Sequence, residues 1–124
     1  MAESAADALK RRTKSFALSI VSLVQTLPDD RTAQVLGRQL LRCGTAVGAN
    51  YRSACRARSR ADFVSKIAIT EEEADETLYW LELLREAGSI DRETHDRLHG
   101  EAHQLTAIFS ASRKTARAGQ KQKM

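Results

Sequence analysis

Six arginines are the residues in this chain best suited to chemistry: Arg31, Arg38, Arg42, Arg52, Arg56 and Arg60. On one helix, at about 100° per residue, they fall within roughly 40° either side of a line. Arginine stays charged and presents a planar fork of donors that matches phosphate oxygens. A file of such residues about 44 Å long would track a nucleic-acid backbone, with binding that is salt-sensitive and mostly independent of sequence. The competing reading is a protein-interaction scaffold, in which the same arginines pair with carboxylates at subunit contacts.

Two further groupings could do chemistry. His95, His99 and His103 recur every four residues, and residues four apart share a helix face, so a pair could chelate a metal. A di-iron bundle needs inward Glu-x-x-His motifs on two helices. Only Asp96-x-x-His99 approximates one, so these read as surface or interface histidines, with no metal site. The run Glu71-Glu72-Glu73 with Asp75 and Glu76 spreads around every side of a helix and cannot converge as a catalytic set. Glu73 and Glu76, one turn apart, are the natural partners for arginines. There is no Gly-rich phosphate loop, no Cys-x-x-Cys pair and no nucleophile elbow. The chain therefore reads as a non-enzyme with no cofactor.

The elements that must position these residues are helices. The chain has 124 residues, one proline, six glycines and six aromatic residues, too few β-branched and aromatic side chains for a sheet. A single domain is implied: an all-α, antiparallel up-down four-helix bundle over residues 1–116, with a basic flexible tail over 117–124. The first helix runs from about Ser4 to Leu27, with Leu9, Phe16, Ile20, Leu23 and Leu27 on one face. Pro28 stops it, and an Asp of the turn caps the next. The stretch Arg31–Arg60 reads as one long helix. Its core face is Ala33, Leu36, Leu40, Cys43, Val47, Tyr51 and Ala54, and a break near Gly48-Ala49-Asn50 would divide the arginine file. Gly37, Gly44 and Gly48 form a flank that lets another backbone come close.

Ser59 followed by Asp62 marks the start of a third helix, running to about Ala87 with Phe63, Ile67, Ala74, Leu78 and Leu81 as its core stripe. Ile69, Trp80 and Leu83 form a second apolar patch beside Glu73 and Glu76, which suggests a subunit contact anchored by Trp80. The expected oligomer interface is thus Gly44, Gly48, Ile69, Glu73, Glu76, Trp80 and Leu83. Gly88 should end helix three in a left-handed cap. Asp91 should cap a fourth helix reaching about Ala116, with Leu98, Ala102, Leu105 and Phe109 on its core face.

Charge is unevenly placed. Residues 1–60 carry eleven Lys/Arg and four Asp/Glu, residues 61–112 four and twelve, and residues 113–124 five and none. That asymmetry hints at nucleic acid; it also fits basic and acidic helices pairing with one another. Cys43 and Cys55, about 18 Å apart along a helix, are beyond disulfide reach and read as packing residues of a reducing, cytoplasmic protein. The start of the chain has no signal-peptide pattern, and no apolar run is long enough for a membrane span.

Leu27-Pro28, Gln39-Leu40-Leu41-Arg42, Val47-Gly48-Ala49-Asn50, Asp62-Phe63, Glu76 and Gly88-Ser89-Ile90 together resemble a known family. It is that of the small bacterial four-helix-bundle proteins encoded in intervening sequences of large-subunit ribosomal RNA genes, to which the accessory variability determinant proteins of diversity-generating retroelements are similar. The resemblance spans roughly residues 14–112. It implies a homopentameric ring with a basic surface and, by analogy with the retroelement relatives, RNA or DNA and a reverse transcriptase as partners. Where the family follows its Asn with an apolar residue and Ala-Glu-Gly, this chain has Tyr51-Arg52-Ser53-Ala54.

Overall fold

The structure is a computed structural model describing residues 2–122. Four helices follow one another: α1 Ala5–Gln25, α2 Arg31–Ala54, α3 Arg60–Glu86 and α4 Arg92–Gln122. Each start is fixed by a side chain that accepts an otherwise orphaned backbone N–H. Ser4 takes the N–H of Asp7 at 3.0 Å, Asp30 that of Ala33 at 2.8 Å, Ser59 that of Asp62 at 3.0 Å and Asp91 that of Thr94 at 2.8 Å. Gly88, at φ +80°, closes the end of α3 in the left-handed conformation, and the Ser89 N–H returns to the Leu84 carbonyl at 2.8 Å.

Short connections make consecutive helices antiparallel neighbours. The packing runs α1 on α2, α2 on α3 and α3 on α4, while α1 and α4 approach each other only sparsely. The core lies between the layers, built from Phe16, Ile20, Leu40, Val47, Ile67, Leu81, Leu84, Leu105 and Phe109. The rings of Tyr51 and Phe109, 5.5 Å apart, join α2 to α4 across its centre.

Several expectations are corrected. α2 passes unbroken through Gly48-Ala49-Asn50 but ends at Ala54, and the chain turns before Arg60 opens α3. The stretch Arg31–Arg60 is therefore two elements. The core stripe of α3 is Val64, Ile67, Thr70, Ala74, Thr77, Leu81 and Leu84, with Phe63 and Leu78 only partly covered. Thr70 and Thr77 are fully buried because each hydroxyl donates to its own helix, to the Lys66 carbonyl at 2.9 Å and the Glu73 carbonyl at 2.8 Å. α4 runs on to Gln122, six residues past Ala116, so the segment expected as a flexible tail continues the helix; Lys123 and Met124 lie outside the described residues.

The glycine flank of α2 is used inside the chain. A Cβ on Gly44 would lie 2.9 Å from Ile20 Cγ1, and one on Gly48 would lie 3.2 Å from Thr13 Oγ1. Gly44 and Gly48 are buried against α1, which removes both from the expected oligomer interface. They let α1 settle close on α2, and that approach aligns the cations of the two helices on one face.

Candidate nucleic-acid interface

The 24 residues of α2 contain four arginines and no carboxylate. Arg31, Arg38, Arg42 and Arg52 are all exposed, spread over about 32 Å of helix on the side away from the core. Arg56 and Arg60, also exposed, belong to the following turn and to the start of α3, so they leave the file. Arg60 leans instead toward α4, its guanidinium beside Gly119. Sequence periodicity carried the file too far because Arg56-Ala57-Arg58 continues the spacing without continuing the helix.

Within the file, Arg42 is the member with an acidic partner. Its guanidinium reaches Glu73 at 3.5 Å and is hydrogen-bonded to Glu76. The same Glu76 oxygen accepts from the Trp80 indole N–H at 2.9 Å. Burial pushes the Glu73 carboxyl above its ordinary range, with Arg42 pulling the other way. The pairing of helix-two arginines with helix-three carboxylates therefore occurs within one chain at this point. Among the described residues, Arg31, Arg38 and Arg52 have no carboxylate within ion-pair reach.

α1 extends the basic face. Its 21 residues hold one acid, Asp7, and four cations, Lys10, Arg11, Arg12 and Lys14. Lys10, Arg11 and Lys14 meet Arg52 around a cleft of about 520 Å³ between α1 and α2, floored by Thr13, Ala17, Thr45, Gly48 and Ala49. The fourth, Arg12, turns to the other side and binds Glu101 of α4. The candidate site residues from the sequence omitted Lys10, Arg11 and Lys14. The signal was present as a cluster at the start of α1, but which side of α1 faces α2 is set by packing, not by spacing.

Between α3 and α4 a surface cleft is lined by three carboxylates, Glu71, Glu72 and Asp75, and two arginines, Arg113 and Arg117. The Arg113 Nε donates to Glu71 at 2.6 Å and holds that carboxyl below its usual range. The expected contact residues on α3 divide. Ile69 is exposed and Leu83 partly so, while Trp80 is half-buried against the core with its ring edge-on to the exposed Tyr79 at 5.1 Å. Tyr79, missed by the sequence reading, belongs to the same surface. α3 is apolar on two sides partly because it packs on both α2 and α4, a cause internal to the chain.

His95 and His99 stack at 4.8 Å, His95 contacting Asp96 at 2.9 Å and His99 contacting Glu82 at 2.8 Å. His103 is exposed. Among the described residues no group of three metal-ligating side chains converges, and no helix is long and apolar enough to cross a membrane. Cys43 and Cys55 are free thiols.

Residues 8–111 match the family described as 23S rRNA-intervening sequence protein, and the chain belongs to it. A crystal structure of a protein of unknown function from the S23 ribosomal protein family of Bacteroides thetaiotaomicron VPI-5482 has 37% sequence identity and a TM-score of 0.82, covering 88% of this chain and 97% of that one. No curated protein matches. Nothing in these likenesses indicates a catalytic family.

Proposed function

We propose that this member of the 23S rRNA-intervening sequence protein family is a non-enzymatic, nucleic-acid-binding bundle whose contact surface is the basic α1–α2 face. The observation that carries the reading is the exposed α2 file. Arg31, Arg38 and Arg52 point to solvent from a helix without carboxylates, and Lys14 stands beside Arg52. Uncompensated cations on one face raise the local potential and favour a polyanion. Their spacing suits phosphates along a strand rather than base edges, so affinity follows ionic strength more than sequence. Replacing Arg31, Arg38 and Arg52 together by glutamate should abolish binding to a structured RNA at low salt. Unchanged affinity would contradict the reading.

A second reading has its own observation. Ile69 and Tyr79 stand exposed on α3 at 44% and 53%, with Tyr79 edge-on to the half-buried Trp80. We infer that copies of the chain associate through this face, with the resemblance suggesting a ring of five. In such an assembly the acidic α3 side of one copy would lie near the basic α2 side of another.

A further inference from the structure

We propose that the cleft between α1 and α2 is a discrete phosphoryl-binding subsite, in which Lys14 and Arg52, assisted by Lys10 and Arg11, hold one phosphate group over the floor formed by Gly48 and Ala49. The proposal rests on the nucleic-acid reading for its setting, but names where on the face a phosphate is gripped rather than merely attracted.

Four cations line this cleft of about 520 Å³ and no carboxylate does. Two of them are partly engaged at its edge. Lys10 lies 3.8 Å from Asp7, and Arg11 binds Glu3 at 2.8 Å. Lys14 and Arg52 have no ionic partner among the described residues. Like charges gathered around one concavity repel each other unless an anion enters, and a concave wall of protein strengthens the attraction relative to a flat surface. Oxygen ligands of a phosphate suit both donor types, a planar fork from arginine and a point charge from lysine.

At Gly48 the two helices are in close contact, since a Cβ there would lie 3.2 Å from the Thr13 hydroxyl oxygen; Ala49, which also lines the cleft, is exposed. The hydroxyls of the floor are already committed. Thr13 donates to the Lys10 carbonyl at 3.0 Å, and Thr45 donates to the Leu41 carbonyl at 2.7 Å. Recognition therefore falls to the cations, and the ligand class is a phosphate ester or phosphoanhydride. The group could belong to the backbone of a strand or to a free phosphate-bearing molecule, and the two sources are separable.

The test is amide NMR on the full chain titrated with inorganic pyrophosphate, and in parallel with a short RNA strand. Saturable shifts confined to residues 10–17 and 45–52 are expected for pyrophosphate, and shifts there together with shifts around Arg31 and Arg38 for the RNA strand. Arg52→Gln should weaken both about tenfold or more, the scale of one lost charge-assisted bond. Ala49→Leu, which fills the floor without changing charge, should weaken pyrophosphate while leaving the contacts at Arg31 and Arg38 with RNA in place. Shifts from pyrophosphate alone would keep the subsite and overturn the nucleic-acid reading, assigning the cleft to a small phosphate ligand. RNA binding that Ala49→Leu does not alter, with pyrophosphate shifts scattered over the surface or absent, would overturn the subsite and leave that reading standing.

Discussion

Arg12 of α1 grips Glu101 of α4 through two parallel N–H···O bonds, Nε at 2.8 Å and Nη2 at 2.6 Å. The Nη2 also donates to Gln104 at 2.8 Å. This fork-to-carboxylate contact joins α1 and α4, two helices that otherwise approach each other only sparsely, so it ties the first helix to the last. It also takes Arg12 out of the basic face that its neighbours Lys10, Arg11 and Lys14 form with Arg52.

The tie should be measurable as a coupling. Arg12→Gln and Glu101→Gln should each lower stability, and the double mutant should lose less than the sum, leaving a coupling of about 1 kcal/mol for a bidentate pair about one third exposed. Urea unfolding of the four proteins gives the cycle. A coupling of zero would mean that this pair does not help to hold α1 to α4.

Glycines should divide by what surrounds them. Gly100 has nothing within 4 Å of a Cβ, so Gly100→Ala should stabilise by about 1 kcal/mol through helix propensity. Gly44→Ala would press on the fully buried Ile20 at 2.9 Å. Overpacking of about 1–3 kcal/mol then exceeds the propensity gain, and the melting temperature should fall. Both shifts are read from thermal unfolding, and a rise for Gly44→Ala would mean that α1 and α2 separate without loss.

Acid should act through Glu71 and Glu73 with opposite sign. The Arg113 bond holds Glu71 below the ordinary value of 4.5. Its stabilising contribution is therefore full above about pH 4.5 and is lost as pH falls through the lower folded value. Glu71→Gln should remove about 1 kcal/mol at neutral pH and flatten the acid limb of the stability profile. Burial raises Glu73, so the fold favours its protonated form and loses stability as pH rises through that range. Glu73→Gln should leave stability at pH 7 unchanged or higher, despite the nearby Arg42.

Much of the fold was legible because its signals are local. The cap residues Asp30, Ser59 and Asp91 and the Gly88 turn each act through a backbone group a few residues away, and all do so in the structure, whereas α1 ends at Gln25, before the Leu27-Pro28 stop. What spacing alone could not supply was the identity of neighbours. Gly44 and Gly48 announced a close approach, but not that α1 of the same chain makes it. Thr13, Thr70 and Thr77 looked polar and are fully buried, since each hydroxyl is satisfied by its own helix. The basic site was half legible. The α2 arginines followed from period, whereas Lys10, Arg11 and Lys14 joined them only once two helices were placed side by side.

Assembly through α3 should be sensitive to charge at its exposed apolar residues. Ile69→Glu with Tyr79→Glu should reduce the mass measured by light scattering to that of a single chain, without altering helix content, because neither side chain is buried. An unchanged oligomer mass would place the contact elsewhere.

The measurement that tests the central claim most directly is the affinity of the protein for a generic structured RNA across a salt series, with and without Arg31→Gln, Arg38→Gln and Arg52→Gln. Contacts from Arg31, Arg38 and the Lys14–Arg52 pair to three phosphates of one strand predict that log affinity falls with log salt at a slope of about −2, and that Arg31→Gln and Arg38→Gln each flatten it by about 0.7. No binding at low salt, or a slope that the three substitutions leave unchanged, would contradict a nucleic-acid role for the α1–α2 face.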